Sequence, residues 1–354
     1  MGTLVLFVVA LALLILLHEF GHFIVARLLG IPIEEFGIGF PPRLLTLFEA
    51  GGTKYTLNAI PLGGFVRPKV IKEGENGETV DALALAPPFK QFLVALAGPL
   101  MNLLVAVVLY ALIFAHEGVP DLGKIAIIEV APNSPAQMAG LKPGDLIVAV
   151  NGQPVKGPDQ IHDLIYSHLG EKISLSVKRG EKVITVALTP RNPPPPTGAI
   201  GILMGPTLRK AGIFTAVWMG VRATVGDTIQ VAKMPFTLLR RKRSPSTPKP
   251  QLLGYKGMYK VFRQFRTADV QNARASGDRF PVNTLSFFII LTISLGVLNL
   301  IPLPALDGGR ALLALGEMAV RRRAPIRLVN AINFVGFVLL LGLLVVVNLR
   351  EWLH

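Results

Sequence analysis

The stretch LLILLHEFGHFIVARLL, residues 13–29, places two histidines and a glutamate inside a segment with the composition of a membrane helix. No charged residue occurs between Gly2 and Leu17, and apolar residues resume directly after His22. A helix that crosses a bilayer needs about 20 predominantly apolar residues. The stretch therefore predicts a first membrane span that carries an unusual polar cluster.

The cluster has the spacing H-E-x-x-H. On a helix, His18 and His22 lie one turn apart on one face, with their Cβ atoms about 5–6 Å apart. Both imidazoles can then ligate one zinc ion, and Glu19 projects beside them as a base for a water molecule. Because polar groups in hydrocarbon cost free energy, we favour a catalytic site over a chance match or a structural metal clip. Two histidines leave a hydrolytic zinc one protein ligand short.

The composition supports a membrane protein. Of the 354 residues, 51% are hydrophobic and only 16% are charged, and the mean hydropathy is +0.53; globular domains are roughly 25% charged. The absence of cysteine excludes disulfides and thiolate metal sites. The net charge of +14 arises mostly from residues 208–280, which hold 15 Lys and Arg against three Asp. We expect this segment to meet anionic lipid headgroups, and no nucleic acid.

Four segments are long and apolar enough to span a bilayer. They are residues 2–29, 89–115, 284–303 and 328–349. Basic residues concentrate in the connections 30–86 and 321–327, which four spans place on one side, and the positive-inside rule makes that side the cytoplasm. Both termini are then expected outside. The basic stretch 208–280 also falls outside, where long loops largely escape the rule.

The connections between the spans contain further elements. Between spans one and two, the β-prone runs IEEFGIGF, TLFEA, TKYTLNAI and GGFVRP predict a small antiparallel sheet that packs on or dips into the bilayer. Residues 122–190 predict a compact module of strands and two helices, closed by the stiff linker RNPPPPTG. Residues 212–239 predict a helix along the membrane surface, and the basic, Pro-rich stretch RRKRSPSTPKPQ after it predicts a loop.

A second constellation is GVLNLIPLPALDGGR, residues 296–310. Its two prolines break the helix, and irregular backbone at membrane depth is tolerated only beside protein or a wet cavity. Asp307 can therefore supply the third zinc ligand, although a turn residue or helix N-cap remains the alternative. Asn299 offers an amide for a substrate backbone. In AGPLMN, residues 97–102, Asn102 either lines the same cavity or bonds a neighbouring helix.

These motifs together resemble the site-2 protease family of intramembrane zinc metalloproteases, and more closely the bacterial regulator of sigma-E protease type. The resemblance rests on HEFGH, AGPLMN and NLIPLPALDGG, and it extends to the sheet and to residues 122–190, which are similar to a PDZ domain. It implies a polytopic α-helical membrane protein of about four transmembrane helices, with a membrane-associated β-sheet and an inserted α+β PDZ-like domain. Three departures stand out: one PDZ module instead of two, LLGYKGMYKVF in place of a Gly-Pro-Ile segment, and the unusually basic region 208–280.

The resemblance also implies roles for residues. His18, His22 and Asp307 match the zinc ligands, Glu19 matches the catalytic glutamate, and Asn299 matches an asparagine that holds the substrate strand. The further substrate-binding candidates are Asn102, Gly63 and Gly64.

The domain boundaries are expected as follows. They are 1–30 for the first transmembrane helix with HEFGH, 31–86 for the sheet and cytoplasmic loop, 87–116 for the second transmembrane helix, 117–192 for the PDZ-like domain, 193–283 for the Pro-rich linker, interfacial helix and basic loop, 284–320 for the third transmembrane helix with the aspartate segment, and 321–354 for the basic loop and fourth transmembrane helix.

The implied function is hydrolysis of a peptide bond within a transmembrane segment, as in regulated intramembrane proteolysis. The expected substrates are single-pass membrane proteins, such as an anti-sigma factor, or remnant signal peptides. The protein is then expected in the bacterial inner membrane, with the PDZ-like domain on the extracytoplasmic side, where it binds a peptide C-terminus or excludes bulky substrates. The alternatives are a catalytically inactive PDZ-bearing adaptor and a zinc sensor or transporter.

Overall fold

A computed structural model describes residues 2–73, 79–240 and 253–353. The chain forms two compact units, Met1–Ile113 with Val217–His354, and Phe114–Ala216. The predicted loop RRKRSPSTPKPQ lies almost entirely outside the described residues.

The helices, in chain order, are α1 Gly2–Leu28, α2 Ala82–Leu85, α3 Pro88–Glu117, α4 Pro135–Met138, α5 Pro158–Tyr166, α6 Ile213–Arg240, α7 Tyr255–Ser276, α8 Val282–Leu300, α9 Asp307–Val320 and α10 Ile326–Leu353. The strands are β1 Ile33–Ala50, β2 Thr53–Pro68, β3 Val70–Glu73, β4 Thr79–Asp81, β5 Val119–Val130, β6 Leu146–Val150, β7 Gln153–Pro154, β8 Ile173–Arg179, β9 Lys182–Leu188 and β10 Ile202–Arg209.

Among the described helices, α1, α3, α8 and α10 are long and apolar enough to cross a membrane. The prediction of four apolar spanning helices is thus confirmed. The third helix ends at Leu300, before the predicted 303, because Pro302 lacks a backbone donor and disfavours helix in the residue before it.

Helices α1 and α3 cross at very close range. A Cβ on Gly21 of α1 would lie 2.5 Å from the carbonyl oxygen of Ala97 on α3 and 2.8 Å from Cβ of Met101. Small residues allow such backbone approach between membrane helices. The glycine inside HEFGH therefore permits the crossing that brings α3 against the two histidines.

The first large sheet consists of four segments, because β1 and β2 each bend back on themselves. Glu35 pairs with both Lys54 and Arg67, so residues 33–40 lie between 53–58 and 64–68. The second half of β1 pairs on the outer side of 53–58. These segments correspond to the four predicted β-prone runs. Within the described chain, 64–68 pairs on one side only and forms a free edge.

Glu35 stabilises this sheet from inside. Its side chain is buried and accepts hydrogen bonds from Thr56 at 2.7 Å, Arg43 at 2.8 Å and Arg67 at 2.9 Å. Burial alone would raise the pKa of Glu35, but these donors and cations hold its pKa below the usual value. One ionised carboxylate thereby joins the segment 33–40 to its two neighbours, 53–58 and 64–68.

Helix α6 packs against α3. A Cβ on Gly220 would lie 2.9 Å from the carbonyl oxygen of Val107, and the hydroxyl of Tyr110 donates to Asp227. The carboxylate of Asp227 therefore has a hydrogen-bond donor on α3. This bond offsets the cost of placing a carboxylate beside an apolar span.

Part of the segment that was predicted to be a basic loop is helix α7. We expected residues up to 283 to be loop after the surface helix, but Tyr255–Ser276 is helical and buries Phe262 completely. Its apolar residues recur at helical spacing among many lysines and arginines, and the high charge masked this amphipathic pattern in the sequence.

The second unit is a six-stranded antiparallel sheet in the order β10-β5-β6-β8-β9, with β7 paired to β6. Helix α5 closes its core with Ile161 and Ile165. The module extends past the predicted end at 192, since Ala199 and Ile200 are buried in this core and β10 pairs with β5. That pairing joins segments about 80 residues apart, which no local pattern reveals.

Candidate metal centre

The donor atoms of His18, His22 and Asp307 converge. Nε2 of His18 lies 3.1 Å from Oδ2 of Asp307, Nε2 of His22 lies 3.3 Å from the same oxygen, and the two Nε2 atoms are 3.3 Å apart. His18 is buried, and the other two are half-buried. The structure therefore brings the three residues singled out as metal ligands to one point.

The three donor atoms fit a tetrahedral zinc ion. Two ligand atoms at zinc distances of about 2.0–2.1 Å are separated by about 3.3–3.4 Å in a tetrahedron. The observed separations of 3.1–3.3 Å are close to this value. Two imidazoles and one carboxylate also form the donor set of hydrolytic zinc sites, which leave the fourth position to water.

A carbonyl on α3 orients His22. The Nδ1 atom of His22 lies 2.7 Å from the backbone oxygen of Val94 and donates a hydrogen bond to it. Since a histidine that donates from Nδ1 keeps Nε2 free, this contact selects the tautomer that a metal requires. Sequence reasoning missed Val94 because a backbone oxygen has no residue-type signature.

Asn102 orients His18 and does not reach the substrate side. Its Nδ2 lies 3.0 Å from Nδ1 of His18, and the residue has no exposed surface. Its Oδ1 has no hydrogen-bond partner among the residues that the structure describes. Rotating the amide by 180° exchanges Oδ1 and Nδ2, so that Oδ1 accepts the Nδ1–H of His18 and Nε2 stays free for metal. The expectation that Asn102 binds substrate is thus corrected: it lies behind the ligand.

Gly98 makes room for both histidines. A Cβ at this position would lie 2.3 Å from Nε2 of His22 and 2.8 Å from Cε1 of His18. Gly98 was not singled out as a site residue from the sequence. The available signal was a glycine in an apolar span four residues before a polar Asn102, a pattern typical of close helix contact.

Asp307 reaches the histidines because the chain turns between the end of α8 and the start of α9. The turn between α8 and α9 includes Ala305 at φ +68°, and α9 begins at Asp307. Leu306 occupies the N-cap position, and no side chain caps the helix. The alternative in which Asp307 serves as a turn residue or N-cap is therefore wrong, because its carboxylate contacts the histidines.

Helix α10 holds this turn in place. The backbone N–H of Ala305 donates to Oδ1 of Asn333 at 3.2 Å. Gly336, one turn along α10, approaches so closely that a Cβ would lie 2.5 Å from Cβ of Pro304. Neither residue was singled out from the sequence, since their contacts depend on how α10 packs.

The structure places the other substrate-binding candidates at two different locations. Nδ2 of Asn299 lies 3.3 Å from Nε2 of His18, at the metal centre itself. Gly63 and Gly64 pack instead against α1, where a Cβ would meet Ile15 at 2.5 Å and Leu16 at 2.7 Å. Both glycines are buried, and they allow the start of the segment 63–68 to pack against α1 just before His18. This packing does not support direct contact between these two glycines and a substrate.

A cleft of about 450 Å³ opens onto the centre. Its lining includes Glu19, His22 and Asp307, the edge segment Phe65–Pro68, and Arg310 of α9. His18 is not part of this lining. The polar residues of the cleft that were not candidate site residues are Arg67, Asp81, Gln91, Arg310, Asn330 and Asn333.

Comparison with known proteins assigns the family. Residues 6–343 match the model of peptidase family M50. The chain belongs to peptidase family M50. A Clostridium perfringens protein named as a zinc metalloprotease is 32% identical over 350 residues, covering 97% of this chain and 96% of the relative. Similar relatives occur in Clostridium acetobutylicum, at 29% identity with 99% and 97% coverage, and in Campylobacter jejuni, at 31% with 95% and 89%.

This M50 chain is therefore a membrane-embedded zinc metalloprotease, and its substrates are membrane proteins. Solved PDZ domains match a short part of it. A PDZ domain of an SdrC-like protein from Listeria monocytogenes is 24% identical, covering 23% of this chain and 87% of that domain, with a TM-score of 0.21. The HtrA3 PDZ domain bound to a phage-derived ligand is 30% identical, with 23% and 68% coverage and a TM-score of 0.18.

Proposed function

We propose that this protease cleaves peptide bonds inside the transmembrane segments of single-span proteins or remnant signal peptides. In this proposal His18, His22 and Asp307 hold the zinc, and Glu19 is the catalytic base. The observation that supports it is the convergence of three donor atoms that lie 3.1–3.3 Å apart. Two of them lie with Glu19 on α1, a helix apolar enough to cross a bilayer, and the third comes from α9.

The chain's own residues carry the proton transfers. Zinc, when bound, polarises the scissile carbonyl and lowers the pKa of a water molecule. Glu19 takes a proton from that water and returns it to the leaving amine. Asn299 presents an amide N–H beside Nε2 of His18, and it donates to a substrate carbonyl once that nitrogen is engaged by metal.

The free edge at 64–68 receives the substrate. A transmembrane helix hides its carbonyls in its own hydrogen bonds, so it must unwind before cleavage. An unwound segment can add as a strand to an exposed sheet edge, where main-chain hydrogen bonds hold it. Phe65–Pro68 line the same cleft as Glu19 and His22, so a strand bound there passes the metal centre.

The contacts support alternating spans with both termini outside. Phe7 near the start of α1 and Phe287 near the start of α8 both pack against Phe262 of α7. The end of α10 reaches the start of α7, where Glu351 accepts from the backbone of Gly254. These three span ends therefore share one level. The basic residues in the loops at the opposite ends favour the extracytoplasmic side of the bacterial inner membrane for that level.

The second unit is proposed as an extracytoplasmic PDZ-like domain. Strand β10 lies at one end of the sheet, so one of its edges is available to an added peptide strand. Capture of a peptide C-terminus at this edge is the recognition mode that an open strand permits. Exclusion of substrates with bulky outer domains is the competing role, and it needs no peptide contact.

Reconstitution tests the proposal. The full chain is placed in proteoliposomes with a single-span reporter, and cleavage and bound zinc are measured for the native chain and for Glu19→Gln. We expect cleavage only by the native chain and equal zinc in both. Cleavage that persists in Glu19→Gln refutes the role of the base. Zinc retained by a native chain that never cleaves favours a sensor or transporter, and absence of both favours an inactive adaptor.

A further inference from the structure

Helix α7 carries a basic face. Lys256, Lys260, Arg263 and Arg274 recur at intervals of four, three and eleven residues, which places them on one side of a helix that turns about 100° per residue. All four are exposed. We call this set the basic face of α7.

The opposite side of α7 is packed into the membrane unit. The ring of Phe262 lies 5.3 Å from that of Phe7 on α1, 5.4 Å from Phe287 and 5.6 Å from Phe288 on α8. Phe262 has no exposed surface. The rotational position of α7 is therefore determined by this aromatic cluster, and the basic face must point away from the spans.

Both ends of α7 are tied to the ends of spanning helices. At its start, the carboxylate of Glu351 on α10 accepts the backbone N–H groups of Gly254 at 2.7 Å and Gly257 at 3.0 Å. Towards its other end, Asp269 accepts the backbone N–H groups of Asn283 and Thr284 at the start of α8, each at 2.9 Å. The fifteen residues between these attachments span about 22 Å of helix, so α7 runs along the membrane surface.

Three of the four cations of the basic face have no acidic partner among the described residues. Asp269 is the one acidic residue of α7, and it is engaged at α8. Lys260, Arg263 and Arg274 form no ion pair with any residue that the structure describes. Cations of a surface helix that have no acidic partner attract the anionic headgroups beside them.

Aromatic residues mark the level of the headgroups. Trp352 is 75% exposed at the end of α10, Tyr255 is exposed at the start of α7, and Nζ of Lys256 lies 5.5 Å from the centroid of the Trp352 ring. Trp and Tyr concentrate at the membrane–water interface. The basic face thus begins beside residues suited to the headgroup layer.

We propose that the basic face of α7 binds anionic phospholipid headgroups in the leaflet on that side of the membrane. The proposal depends on the membrane location of the chain and not on the assignment of the catalytic residues. Anionic headgroups would then neutralise the positive charge of this segment. The bound lipid would lie against α7, the helix that contacts α1, α8 and α10.

Fluorescence quenching tests it on the full-length chain. Replacing Trp218 by Phe leaves Trp352, next to Lys256, as the single tryptophan. The protein is reconstituted in phosphatidylcholine with increasing fractions of phosphatidylglycerol whose acyl chains are brominated. Each cation near an anionic surface favours binding roughly fivefold. Lys260→Gln with Arg263→Gln and Arg274→Gln should therefore raise the fraction for half-maximal quenching at least about fivefold.

Three controls make the result decisive. Lys156→Gln with Lys172→Gln and Lys182→Gln removes the same charge from exposed positions of the other unit and should leave the titration unchanged. Lys260→Arg with Arg263→Lys and Arg274→Lys keeps the charge and should also leave it unchanged. Brominated phosphatidylcholine should quench all variants alike. Equal titrations for the native chain and the α7 Gln variant, or an equal shift in the charge-matched control, would overturn the proposal.

Discussion

The side-chain oxygen of Asn333 on α10 accepts the backbone N–H of Ala305, 3.2 Å away, in the turn that precedes Asp307. Ala305 has φ +68°, a left-handed conformation that costs an L-residue roughly 1–2 kcal/mol. The strained turn is therefore stabilised by α10, a helix that supplies none of the three candidate metal donors. The position of the aspartate depends on α10.

Replacing Asn333 by Leu should weaken zinc binding about tenfold or more, as loss of outer contacts to metal ligands typically does. Asn333→Asp keeps an acceptor oxygen and should bind zinc nearly as the native chain does. Ala305→Gly relieves the left-handed strain, so it should restore part of the affinity when combined with Asn333→Leu. Zinc affinity is measured by competition with a chromophoric chelator, and native affinity in Asn333→Leu would show that the bond does not position the turn.

Gly336 and Gly342 form a matched pair on α10. A Cβ on Gly336 would lie 2.5 Å from Cβ of Pro304, whereas a Cβ on Gly342 meets no atom within 4 Å. Gly336→Ala should therefore displace the aspartate turn and reduce both zinc affinity and reporter cleavage by at least about tenfold. Gly342→Ala should change neither and should slightly favour the helix. Similar effects of the two substitutions would remove the support for close packing at Pro304.

Gly98→Ala should abolish zinc binding while leaving the spans inserted. The added Cβ would lie 2.3 Å from Nε2 of His22, the atom proposed to ligate the metal. Gly316→Ala on α9 is the control, because a Cβ there meets nothing within 4 Å. Metal content is determined by mass spectrometry on purified protein, and membrane insertion by protease accessibility. Normal zinc content in Gly98→Ala would contradict the geometry of the centre.

The second unit should lose stability in acid through Asp145. Arg179 donates to both of its carboxylate oxygens at 2.7 Å, and this pairing holds the pKa of the buried Asp145 below its ordinary value of 3.8. The unfolded chain then binds the proton first as pH falls. The stabilisation is complete above about pH 5 and declines below about pH 4, through the lower pKa of the folded state.

Asp145→Asn should therefore reduce protection at neutral pH by about 1–2 kcal/mol and flatten the acid dependence. The readout is hydrogen-exchange protection factors of peptides from β6 and β8 in the full-length chain. Glu171→Gln, which alters an exposed carboxylate of the same unit, should leave those values unchanged. If Asp145→Asn leaves the acid dependence of protection unaltered, titration of Asp145 is not its cause.

The sequence predicts those parts of the site that local periodicity controls. His18, Glu19 and His22 follow from one helix turn, and four spans follow from apolar length. The β-prone runs between the first two spans also correspond to neighbouring segments of the sheet. Asp307 lies 285 residues after His22, so spacing alone left it open between ligand and cap, and the family resemblance supported the ligand.

The remaining features arise from contacts between distant segments. Asn102 was expected at the substrate, but the crossing of α1 and α3 places it behind His18. The support from Gly98 and Asn333 depends on the same kind of packing. Strand β10 was missed because its partner β5 is far along the chain, and α7 was missed because charge obscured its apolar face.

X-ray absorption at the zinc K-edge, recorded on the reconstituted full-length chain, determines whether His18, His22 and Asp307 share one zinc ion. We expect two imidazole nitrogens and a carboxylate oxygen around one zinc at about 2.0–2.2 Å, with a further light atom from water. His18→Ala should remove one imidazole contribution, and Asp307→Ala should remove the carboxylate. A native spectrum without two imidazoles, or one that Asp307→Ala leaves unchanged, would contradict the shared metal centre.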